Sequence, residues 1–252
     1  MRSLESLDLS NNQLFGEIPE HLVEGCISLA FLVLSNNSLQ GQIFSKNFNL
    51  PNLLRLQLDG SHFIGNIPDS LLNSSLLVGL YLSDNHPSGR ILSWLGNMLD
   101  LSDIIMPNNN FEGPIPVEFC QLEYLEVLDL SENNISSDFP SCLNSLYIHQ
   151  VHLSRNKLQG QLKEAFYDSS YNHFDGSIPK WIGRLPQLSY QSIQSCRLDQ
   201  LHLIDLSRNN LSSRIPPCLD MTALHNKDYD VAPGPMSMAP GPIAGVGQLG
   251  LR

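Results

Sequence analysis

Charge is scarce in this chain. Only 15% of its 252 residues are Asp, Glu, Lys or Arg, against about 25% in an average soluble domain, so most of the surface is uncharged and polar. Fourteen Lys and Arg stand against 25 Asp and Glu, a net charge of −11. Scattered cations give no basic stripe to track phosphates, which argues against nucleic-acid binding. Long apolar runs are also missing, so nothing reads as a bilayer span. The opening Met1-Arg2-Ser3-Leu4-Glu5-Ser6 lacks the apolar stretch of roughly 7–15 residues that a signal peptide carries. Cysteine is sparse and odd in number, five residues with no Cys-x-x-Cys spacing, which excludes a dense disulfide scaffold. No His-Glu-x-x-His, Gly-x-Ser-x-Gly, P-loop or kinase signature occurs. His149 and His152 lie three apart on one expected strand, hence on opposite faces. The chain therefore reads as a non-enzyme with neither a metal site nor a cofactor.

What is present in excess is Leu, with 44 residues, and Asn, with 22. Both fall into a repeat. The segment Leu4-x-x-Leu7-x-Leu9-x-x-Asn12-x-Leu14-x-Gly16-x-Ile18-Pro19 is one unit, and the frame restarts at Leu29, Leu53, Leu77, Leu101, Leu125, Ile148 and Leu201. The first six steps are 25, 24, 24, 24, 24 and 23 residues. Such a period signals a solenoid of stacked supersecondary units. The Leu-x-x-Leu-x-Leu stretch alternates, so it predicts a short strand with Leu7 and Leu9 on one face. A lone strand of this kind has no apolar partner. Stacking coils at about 4.8 Å sets each Leu over its equivalent in the next coil and creates a parallel sheet over a leucine core.

The ninth place holds Asn12, Asn37, Asn85, Asn109, Asn133, Asn156 and Asn209. There the chain turns inward, and an amide side chain can satisfy backbone groups of its own coil and the next. Ser61 is a shorter and weaker substitute in the third unit. Pro in Gly-x-Ile-Pro suits an extended segment outside any ladder. No helix-period pattern follows, so 3₁₀ turns and loops are expected on the convex side. Two later coils are short. Asn172 follows Asn156 by only 16 residues, and Leu201 follows Leu188 by 13, which predicts distorted backbone near 163–170 and 189–197. The readings are a natural irregularity or a deleted or wrongly spliced gene model. The units are thus seven repeats over 1–162, two truncated repeats over 163–200, a last repeat over 201–222 and a disordered Pro/Gly tail over 223–252.

The pattern Leu-x-x-Leu-x-Leu-x-x-Asn-x-Leu-x-Gly-x-Ile-Pro resembles the plant-type extracellular leucine-rich repeat over roughly residues 4–220. The Gly-x-Ile-Pro part carries the plant extracellular resemblance. It implies a leucine-rich-repeat solenoid, a right-handed horseshoe or superhelix with short parallel β-strands on the concave face and 3₁₀ turns and loops on the convex face. Within that class the chain is most similar to receptor-like proteins of the plant plasma membrane. The resemblance implies an extracellular receptor part perceiving defence or developmental signals, with a peptide or protein ligand and a co-receptor as partners. This chain itself shows no membrane span, and its ends read as those of an internal slice. Alternatives are a receptor-kinase ectodomain, a secreted enzyme inhibitor of the same repeat class and a non-functional gene product.

Candidate sites follow from the frame. Outward places on the expected strands hold Phe31, Val33, Arg55, Gln57, Tyr81, Ile105 and His152, bulky where Ser, Asp and Asn are the usual filler. Phe31, Val33, Arg55 and Tyr81 come from successive coils and predict one ligand-binding patch. Four Asn-x-Ser sequons, at Asn36, Asn73, Asn134 and Asn210, are candidate N-glycosylation sites if the chain enters the secretory pathway. Cys120–Cys142 and Cys196–Cys218 are both 22 residues apart, almost one coil. Stacked coils bring such residues to about 5 Å, within disulfide range, and Cys26 is left over.

Overall fold

The computed structural model describes residues 2–44, 48–140, 148, 150–161, 172–176 and 208–212. The repeat folds as the leucine spacing dictates, one coil per unit. Each coil contributes a three-residue strand to a parallel sheet: Ser6–Asp8, Phe31–Val33, Arg55–Gln57, Gly79–Tyr81, Asp103–Ile105, Val127–Asp129 and Gln150–His152. Neighbours in the sheet are successive coils, in sequence order. The register is one repeat per step, Leu7 on Leu32, Leu32 on Leu56, Leu56 on Leu80 and Leu80 on Ile104. These central residues point inward, and Leu32, Leu56, Leu80, Ile104 and Leu128 are completely buried. Phe63, Phe111 and Phe119 fill the same core from the other side of the coil.

The far side meets the expectation and adds to it. It does hold 3₁₀ turns, at Asp69–Asn73, Ser93–Asn97 and Val117–Gln121, and one short α-helix, Glu20–Gly25. It also holds a second parallel sheet on the flank of the coils, nine-stranded among the described residues. Its strands include Ser38–Gln42, His62–Gly65, His86–Arg90, Asn110–Gly113 and Asn134–Asp138. The segment after the ladder Asn is extended, and coils already at strand spacing pair there for the same reason as on the concave face. Gly bends this strand into the left-handed region, as at Gly41 and Gly65, φ 86° and 81°. Pro then follows in extended backbone, φ −74° at Pro68 and −59° at Pro116.

The asparagine ladder connects each coil to the preceding one, not the next. Asn37 Nδ2 donates to Leu34 O and Ser35 O of its own coil, and to Leu9 O of the coil before at 3.0 Å. Its Oδ1 accepts the N–H of Leu14, also in the coil before, at 3.0 Å. The direction follows from the turn: the amide enters the coil just where the earlier coil exposes a carbonyl and an N–H. Asn133 and Asn156 repeat the full pattern. Asn172 does the same work across the short step, accepting Leu158 N–H at 2.9 Å and donating to Leu153 O at 2.8 Å. Asn12 bonds within its own coil, donating to Leu9 O and Ser10 O. Asn209 is half-buried in the 208–212 segment.

The ladder breaks twice. The Ser61 hydroxyl is buried without a partner, because its short arm cannot span the gap that an amide spans. Asn109 Oδ1 is also buried and unpartnered. At the equivalent places Phe63 and Phe111 donate their N–H to Asn85 and Asn133. The residue facing Asn109 Oδ1 by this repeat is Pro87, which has no N–H to give. The predicted distortions near 163–170 and 189–197, and the tail over 223–252, lie outside the described residues. So do the proposed boundaries at 162, 200 and 222.

Candidate ligand-binding face

Two rows of side chains leave the concave sheet toward solvent. In the first, Phe31 stands beside Arg55, then Gly79, then Asp103. In the second, Val33 stands beside Gln57, then Tyr81, then Ile105. Phe31 keeps 42% of its surface exposed, while Val33, Arg55, Gln57, Tyr81 and Ile105 are half-buried. The register therefore gathers these six predicted residues into one contiguous patch. His152 lies on the second row as well, but Asp129 stands between it and Ile105.

Tyr81 is the centre of the patch. Its ring lies back across the sheet over Gly79, where an added Cβ would meet Tyr81 Cε2 at 2.6 Å. Any larger side chain at Gly79 expels the ring. Tyr81 Oη donates to Asp103 Oδ2 at 2.7 Å, and the Arg55 guanidinium lies 5.3 Å from the ring centroid, within cation–π range. Burial first, then the hydrogen bond and charge of Asp103, push the Tyr81 hydroxyl up from 10.0 to about 12, with Asp59 adding to the rise and Arg55 opposing it. Asp59 is itself held by Ser83 N–H at 2.8 Å and Ser35 Oγ at 3.2 Å. The result is an aromatic platform locked by three coils, carrying one cation on its face. Spacing arguments missed Gly79 and Asp103. The available signal was a glycine where every other concave strand carries a side chain.

The sequons lie off these rows. Asn36 is exposed, with left-handed backbone at φ 55°, and its amide Nδ2 donates to Asn11 Oδ1 at 3.0 Å. Asn73 is exposed at the end of its 3₁₀ turn, and Asn134 and Asn210 are exposed at the start of flank strands. Cys120 is disulfide-bonded, and Cys26 is a buried free thiol. Cys142, Cys196 and Cys218 lie outside the described residues. Among the described residues no helix is long and apolar enough to cross a membrane.

Similarity to known proteins agrees with this geometry. The Leucine Rich Repeat family model matches residues 3–24, 124–146 and 200–221. Putative receptor-like protein 16 of Arabidopsis thaliana is 36% identical over 67 residues, 27% of this chain and 22% of that protein. The chain is similar to plant extracellular leucine-rich-repeat proteins of the receptor-like type. It spans between 5% and 22% of the length of the curated receptor-like proteins it matches. Among solved structures, the plant peptide hormone receptor RGFR1 in complex with RGF2 superposes with a TM-score of 0.76 at 31% identity, covering 86% of this chain and 34% of that one. The Arabidopsis receptor kinase HAESA, solved with the peptide hormone IDA and the co-receptor SERK1, gives a TM-score of 0.74 at 32% identity, covering 85% and 39%. What these relatives share with this chain is the leucine-rich-repeat part of a receptor.

Proposed function

We propose that this chain is a ligand-recognising coil array of a plant cell-surface receptor, and that it captures a peptide on the concave patch around Tyr81. The observation that carries the reading is the pair of adjacent registered rows that brings Phe31, Arg55, Tyr81 and Ile105 together, with Tyr81 held by Asp103 over bare backbone. A face that only had to stay soluble would carry small polar groups. Here the aromatic and aliphatic groups are presented rigidly, so a bound segment orders few protein side chains, and preorganisation of that kind favours affinity. RGFR1 and HAESA were each solved with a peptide hormone, which supports a peptide as the ligand class, and HAESA supports a co-receptor as a second partner. The signal read out is a defence or developmental one, and the array works outside the plasma membrane.

In this reading Asn73, Asn134 and Asn210 carry glycans on faces that leave the concave rows open. Asn36 is modified only before its amide closes on Asn11. Cys120 pairs with Cys142, and Cys196 with Cys218. The test is selection of binding peptides from a displayed library on the intact chain. Phe31→Ala and Tyr81→Ala should each lower capture of the selected peptides at least tenfold (about 1.4 kcal/mol), with Leu99→Ala, exposed off the concave rows, neutral. Selected peptides indifferent to both concave changes would sink the proposal.

A further inference from the structure

The geometry points to a second site, a two-histidine site for a divalent transition-metal ion on the flank sheet, built from His62 and His86. Both residues open flank strands of successive coils and are exposed. Their rings face each other, 6.2 Å between centroids and 7° from parallel. Apart from this contact neither imidazole has a hydrogen bond or ion pair among the described residues. The ring nitrogens are therefore available, and a neutral imidazole is the commonest protein ligand for such ions.

The fit is set by the fold. Parallel pairing of Ile64 with His86 and Gly65 with Pro87 fixes the two strands against each other, and the Pro87 ring restricts the backbone next to His86. With a metal–nitrogen distance of about 2.0 Å and a tetrahedral angle, two ligating imidazoles have centroids roughly 5 Å apart, so the two exposed side chains have to close about 1 Å and also turn out of their parallel stack until both in-plane nitrogen lone pairs meet at one ion. Nitrogen ligands on a flexible, two-point site favour the later first-row ions, Cu²⁺ above Ni²⁺ and Zn²⁺. The remaining coordination positions are left to water. The site is separate from the concave patch and does not depend on what binds there.

The experiment titrates Cu²⁺ alone into the full chain at neutral pH and follows it by electron paramagnetic resonance. The expected result is one saturable equivalent whose spectrum shows two equatorial imidazole nitrogens. His62→Asn and His86→Asn should each remove the two-nitrogen signature and weaken binding by roughly tenfold or more. Asn fits both places, since Asn110 and Asn134 open the next two strands, so loss of binding without change in circular dichroism reports the ligands and not the fold. The chain has eight His, so the variants decide the assignment. A signature that survives in either variant, or that never forms in the unaltered chain, overturns the site.

Discussion

Replacing Pro87 by Leu should stabilise the protein, although it removes a proline from a strand. The acceptor Asn109 Oδ1 is buried and unpartnered, and an orphaned buried polar atom costs about 1–3 kcal/mol. An N–H at position 87 would take the place that Phe63 and Phe111 take toward Asn85 and Asn133, both at 3.0 Å. Against this gain stands the loss of proline's restriction on the unfolded chain, about 0.4–1 kcal/mol. Leu is also bulkier, but Leu39, Phe63, Phe111 and Ile135 are buried at equivalent places, so the pocket accepts branched and aromatic groups. The balance is a gain of about 1 kcal/mol, or roughly 2–4 °C in Tm for a chain of this size. Urea unfolding of Pro87→Leu, Asn109→Leu and the double variant isolates the new bond. The coupling between the two sites should be about 1 kcal/mol, well above the roughly 0.3–0.5 kcal/mol scatter of independent sites. A coupling within that scatter would refute the reasoning, since Pro87 would then not be why Asn109 lacks a donor.

Other outcomes follow from single residues. Ser137 has φ 77° where other coils place Gly, so Ser137→Gly should raise stability by about 1 kcal/mol in chemical denaturation. Gly96→Ala should destabilise by about 2–3 kcal/mol, because its Cβ would meet the Glu118 carbonyl at 2.4 Å; a Tm within a degree of the parent would contradict this. Tyr81 should ionise near pH 12, not 10, in ultraviolet titration. Its raised folded value means that its contribution to stability is complete below pH 10 and lost as pH rises toward 12. Tyr81→Phe should abolish that loss, and Asp103→Asn should bring the ionisation back toward its ordinary value.

The concave architecture was legible from spacing alone, because a Leu every second residue within a constant period leaves one way to bury the strands. The placement of Phe31, Arg55 and Tyr81 in one patch followed from the same period. The flank sheet was not legible. Its strands are two to five residues long, too short for alternation to show, and they pair only because the coils are already stacked. The direction of the ladder was hidden too, since Asn at the ninth place reads the same whichever neighbour it bonds. The Tyr81 cluster joins residues 22 to 26 apart and depends on Gly79 leaving the backbone bare. It becomes visible only once the register is known. The expected partner of Cys120 falls in the next coil at 141–147, outside the described residues, so geometry adds no partner to the spacing argument there.

The central claim is that ligand meets the concave rows and not the convex side. A photo-crosslinking amino acid placed at Gln57, within the patch, and separately at Leu99, exposed in the turn that follows the 3₁₀ turn Ser93–Asn97 and off both concave rows, tests it in a receptor displayed on plant cells. The account predicts a ligand-dependent covalent adduct at Gln57 and none at Leu99. Adduct at Leu99 with none at Gln57 would contradict it.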